Sequence, residues 1–163
     1  MLFSLLVGIG ILLVSLVSFG IATALIVQLV VRLIRKGYAG PAFWKNVAVM
    51  LIVSLITALV HLIQIAVWAL AVLLCGAPWT FENAFYASAQ NYTALGYGDY
   101  MLSEPWRLLG PLEAVNGILL FGLSTSVMFA VMSHLVVTRL HLLPGYLPET
   151  AAGSPEAGGS DSE

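Results

Sequence analysis

Residues 93 to 99 read Thr-Ala-Leu-Gly-Tyr-Gly-Asp and lie between two long apolar runs. Glycine weakens a helix by roughly 1 kcal/mol relative to alanine. Gly96 and Gly98 therefore mark backbone that leaves the helical ladder, and the chemistry on offer is that of free peptide groups. Two ionisable side chains stand out as well. His61 lies mid-way through one apolar run, with Gln64 and Trp68 on the same face at helical spacing. Glu113 lies in another, with Asn116 beside it. An ionisable residue at membrane depth defaults to a functional hypothesis. A contact between His61 and Glu113, direct or through the short helix between their segments, would satisfy both. It would act either as packing or as a pH-responsive element, since histidine titrates near neutrality. No nucleophile or metal-ligand set accompanies the pair, which argues against an enzyme.

The elements that must position these residues belong to a membrane protein. Of the 163 residues, 60% are hydrophobic and 9% charged, against about 25% charged in a soluble domain. The formal charge of −2 says little, because the charges cluster. The basic residues are Arg32, Arg35, Lys36, Lys45, Arg107 and Arg139, and they form no nucleic-acid patch. A polar catalytic domain has nowhere to fit. The single Cys75 excludes an internal disulfide and reads as a small apolar residue near a helix end.

Residues 1–36 are expected to form an N-terminal transmembrane helix and the start of a basic turn. The run Leu2 to Val31 is uncharged, and it is too long and lacks the basic start of a signal peptide. Gly8, Ser15 and Ala22 recur at seven-residue spacing, and Gly20 and Ala24 lie four apart, which suits close helix packing. Residues 32 to 45 hold most of the basic charge, so this turn is expected in the cytoplasm and the N-terminus outside. Trp44 reads as an interface anchor. A second spanning helix is expected over 45–75, ended by Cys-Gly-Ala-Pro. The segment 80–93 is a short helix with Thr80 as cap and Glu82 in its first turn. At about 18–20 Å it is too short to cross a core of about 30 Å. A third spanning helix is expected over 107–138, which places the C-terminus in the cytoplasm. Residues 144–163 are Gly-, Pro-, Ser- and acid-rich and read as a disordered tail.

Non-helical backbone at membrane depth survives only when buried in protein or lining water, so residues 79 to 99 must line a cavity. The stretch Thr93 to Asp99 resembles the selectivity filter of the potassium channel pore-domain superfamily, usually written TTVGYGD. The resemblance covers roughly residues 48 to 138, the two-helix pore module, and leaves out the first helix and the tail. It implies an all-α membrane protein with three transmembrane helices, a re-entrant pore helix and a filter, assembled as a tetramer. It further implies potassium conduction, with carbonyls of Thr93, Ala94, Leu95, Gly96 and Tyr97 replacing the ion's water. Gly98 completes the filter, and Asp99 and Gln90 support it. Asn116-Gly117 to Gly122 resembles the family's inner helix, with Gly117 at the gating hinge and Gly122 at a second, packing glycine.

The departures carry meaning. Ala94 stands where the family has a threonine whose hydroxyl coordinates the innermost ion, so that site is expected to be weak. Gln90 stands where many members carry Glu, which allows a hydrogen bond towards Asp99 but no carboxylate pair. The implied partners are further copies of the chain and the lipid bilayer, with no nucleic acid, no cofactor and no recognisable small-molecule ligand. Size and simplicity point to a bacterial inner membrane. No helix carries the repeating arginines of a voltage sensor, and the tail is too short for a ligand-binding domain. A weakly selective cation channel and a non-conducting subunit of the same fold are the rival expectations.

Overall fold

Long uninterrupted apolar runs dictate long helices, because a backbone without water must satisfy its own hydrogen bonds. The computed structural model describes residues 2–36 and 43–141. The turn at 37–42 and the tail over 144–163 lie outside the described residues. Helix α1 spans Leu2–Arg35, α2 Phe43–Leu74, α3 Phe81–Tyr92 and α4 Leu109–His141. A 3-10 turn at Glu104–Trp106 precedes α4, and no strand occurs among the described residues. Three segments, Leu2–Arg35, Trp44–Leu74 and Glu104–Val137, are long and apolar enough to cross a bilayer. The exception is α3, with 12 residues, about 18 Å of helix.

Local chemistry sets the ends. Gly76 takes a φ of 86° just past the end of α2, a conformation that glycine adopts without a Cβ penalty. Thr80 caps α3, its hydroxyl accepting from the Asn83 amide at 3.4 Å. Pro111 sits in the first turn of α4, where its missing N–H costs nothing.

Helix α1 lies in the groove between α2 and α4, while α3 packs against the same two helices. The buried positions of α1 are Ser4, Gly8, Ser15, Phe19, Ile26 and Val30. Their alternating steps of four and seven make a narrow seam, the pattern of helices crossing at a shallow angle. Gly8 is there for contact: a Cβ would overlap the Leu112 side chain of α4. Gly20 has open space around it and Ala24 is exposed, so the second small-residue pair packs on nothing within the chain. One core gathers Phe19, Ile65, Trp68, Tyr92, Leu109 and Leu120, where α3 joins the other helices. A second, formed by Ile26, Val30, Val49, Val53, Val131 and Leu135, involves α1, α2 and α4 alone. Elsewhere large apolar side chains such as Leu25, Leu55, Leu62 and Leu70 point outward, as suits a surface solvated by lipid tails.

Candidate functional site

The segment 93–99 begins as the end of a helix. The Ala94 amide donates to the Asn91 carbonyl at 2.9 Å, and the Leu95 amide to the Gln90 carbonyl at 2.9 Å. Together with a left-handed Ala94, at φ 58°, these bonds form the two-bond cap that ordinarily calls for glycine. The Gly96 amide also approaches the Gln90 carbonyl, at 3.4 Å. The Thr93 hydroxyl donates back to the Ala89 carbonyl at 2.7 Å, which ties the first residue of the segment to the last turn of α3.

Beyond the cap the handedness alternates. Ala94, Gly96 and Gly98 have φ of 58°, 56° and 79°, while Leu95 and Tyr97 between them stay on the ordinary side. Backbone of alternating hand is costly for residues with a Cβ at its left-handed positions, and glycine fills two of the three, Gly96 and Gly98. Residues 93 to 99 are exposed within the single chain, with Leu95 60% and Tyr97 70% accessible. A groove runs between this segment and the start of α4, bounded by Ala94, Gly96, Gly98, Tyr100, Gly110 and Ala114. Helical spacing from Ala114 leads down the same face of α4 to Ile118, Gly122, Thr125 and Phe129, all exposed.

Behind the segment, α4 forms a seat for the end of α3. A Cβ on Gly117 would overlap the Tyr92 carbonyl oxygen, so the two backbones meet there directly. Helix α4 runs unbroken through Gly117 and Gly122, and a Cβ on Gly122 would stand in open space within the chain. One turn before Gly117, Glu113 Oε2 accepts from Asn91 Nδ2 at 3.3 Å. Glu113 is fully buried, and the side chains of Ser88 and Asn91 are the donors that face its carboxylate.

His61 joins the same seat from α2 but does not bond Glu113. Its Nε2 lies 3.1 Å from Ser124 Oγ and its Nδ1 lies 2.8 Å from the Tyr92 hydroxyl. Ser124 spends its own proton on the Phe121 carbonyl, at 2.9 Å. The Ser124 oxygen therefore accepts from Nε2–H, and Nδ1 accepts from the Tyr92 hydroxyl, which assigns the tautomer from the network. The ring also stacks on Phe121 with centroids 4.5 Å apart and lies 5.6 Å from Phe19. Of the two expected routes between His61 and Glu113, the indirect one through α3 is the one present, by way of Tyr92 and Asn91.

A further polar cluster was not legible as such from the sequence. Ser15 of α1 donates to Gln64 Oε1 at 2.6 Å and accepts from Asn116 Nδ2 at 2.8 Å. Gln64 Nε2 donates to the Ser15 carbonyl at 3.2 Å and to Ser18 Oγ at 2.9 Å. The available signal was the presence of Ser15, Gln64, Asn116 and Ser124 inside apolar spans, where each must find a partner. Beside the segment, the Gln90 amide is buried and its Nε2 makes no bond to Asp99. The Tyr86 phenol instead lies against the Asp99 carboxylate. Tyr100 packs edge-on against Trp79 and Tyr86, at 5.4 and 5.9 Å between centroids.

Comparison with known proteins finds one family. The model described as "Ion channel" matches residues 47–134. That stretch takes in nearly all of α2, then α3, the segment 93–99 and most of α4, and leaves α1 outside. No curated protein and no solved structure matches.

Proposed function

This chain belongs to that ion channel family, and from that premise we propose that it forms a homotetrameric, potassium-selective pore that conducts passively. It is an integral membrane protein by its three apolar helices and its family. The observation that carries the finer reading is the alternation of φ at Ala94, Gly96 and Gly98. In this reading, backbone of alternating hand turns successive carbonyl oxygens to one side, a ligand set for a dehydrated cation once copies surround a common axis. The exposure of Leu95 and Tyr97 supports assembly, because other copies would cover them. In such an assembly α3 re-enters the membrane as the pore helix, and the partial negative charge at its C-terminal end favours a cation in the central cavity. Thr93, Ala94, Leu95, Gly96 and Tyr97 supply the oxygens. Gly117 and Gly122 lie where the inner helix would bend on opening. The reading has the N-terminus outside and the C-terminus in the cytoplasm, supported by the basic residues Arg32, Arg35, Lys36 and Lys45, and takes the membrane to be a bacterial inner one.

Ala94 favours a second reading, a weakly selective monovalent cation channel, because no hydroxyl stands at the innermost site. Purified protein in liposomes separates the possibilities. Potassium flux should appear, and Gly96→Ala, which forces a Cβ into a left-handed position, should abolish it. Reversal potentials with potassium and sodium on opposite sides distinguish the selective pore from the weak one. No flux under any gradient would leave a non-conducting subunit as the answer.

A further inference from the structure

We propose that Ser15 of α1 is a positioning residue for the ion-selecting segment and that it acts through Asn116. The proposal rests on the conducting reading above but concerns a helix outside the region that matches the family. Ser15 is 1% exposed and joins two spanning helices at one oxygen, donating to Gln64 and accepting from Asn116. Asn116 is fully buried and its Oδ1 has no partner, so the bond to Ser15 is what orients this carboxamide.

The next residue is Gly117. Successive residues of a helix point about 100° apart. Asn116 therefore faces α1 while Gly117 faces α3, and α4 is held between them. Any roll of α4 that releases Asn116 from Ser15 also moves Gly117 relative to the Tyr92 carbonyl that packs on it. The same roll carries Glu113 away from Asn91 Nδ2. Asn91 and Tyr92 are the last residues of α3, and Thr93 begins the segment. One hydroxyl on α1 thus sets the rotation of α4, which sets the seat of α3, which sets where the segment starts. Ser18, one turn on, provides the contrast. It reaches Gln64 of α2 and its own helix, and no hydrogen bond takes it to α4.

The test is the potassium-to-sodium permeability ratio of the full-length protein in liposomes, read from reversal potentials. Ser15→Ala should lower the ratio roughly fivefold, the scale of one buried hydrogen bond. Ser18→Ala should leave it unchanged, because it loosens α1 from α2 only. Asn116→Leu reads the same link from its other end, with a side chain of the same branching, somewhat larger, and no stranded amide. It should lower the ratio as well, and Ser15→Ala added to it should bring no further loss. A ratio unchanged in Ser15→Ala, or in Asn116→Leu should the alanine variant fail to assemble, overturns the proposal. So does an equal loss in Ser18→Ala, which would reduce Ser15 to general docking of α1. Absence of selective flux from the unsubstituted protein overturns the underlying reading itself.

Discussion

The Cα of Gly117 lies beneath the Tyr92 carbonyl oxygen, in a space that no Cβ could share. This is a contact between two backbones, one in α4 and one at the last residue of α3. Rigid backbone on both sides means that neither can yield as a side chain would.

Gly117→Ala should therefore force α3 and α4 apart. Overpacking of this kind costs about 1–3 kcal/mol, seen as a lower melting temperature of the protein in detergent and a loss of flux. Gly122→Ala, in open space within the chain, should cost far less stability. Equal melting temperatures for the two variants would refute the distinction.

Ala94 occupies a left-handed position that a glycine would hold without strain. Ala94→Gly should stabilise the end of α3 by about 1 kcal/mol. Ala94→Thr places a β-branched side chain there and should destabilise by more. The threonine hydroxyl should at the same time strengthen the innermost ion site. The expected result is a raised potassium-to-sodium permeability ratio together with a lowered melting temperature, two readouts moving in opposite directions.

Both ring nitrogens of His61 are committed, to Tyr92 and to Ser124. His61→Leu strands the Tyr92 hydroxyl in an apolar surrounding, at about 1–3 kcal/mol. His61→Gln keeps a donor and an acceptor and should lose less. Thermal unfolding ranks the two, and current against pH in His61→Gln addresses the sensing role; an altered pH response there would give the ring more than a packing task.

Glu113→Gln retains an oxygen for Asn91 Nδ2 and removes a fully buried carboxylate that no cation faces among the described residues. It should be tolerated, with melting temperature equal or higher. Glu113→Leu releases Asn91 and should lower the permeability ratio. A severe loss in the glutamine variant would show that the charge itself is required.

Much of the architecture was written in short-range patterns. Apolar length specified the three long helices, because a lipid-solvated backbone has no alternative to satisfying itself. Thr80 announced the start of α3 and Gly76 lies just past the end of α2, because caps are settled within a few residues. The spacing of Gly8 and Ser15 likewise marked the face that α1 buries. Ala94 was harder, since its left-handed φ follows from the cap geometry and not from its residue type.

What only the assembled helices decided is the choice among equivalent partners. Glu113 was a chemically sensible partner for His61, yet the histidine bonds Tyr92 and Ser124 while Glu113 takes Asn91. Ser15 and Asn116 meet across 101 positions of chain. Gly117 looked like a hinge residue and is also a contact surface. Sequence periodicity states which face of a helix is buried, but not the axial shift and roll at which two helices settle. A polar side chain in low dielectric accepts whichever donor or acceptor that register brings within reach, and the register is fixed by the packing of all four helices at once.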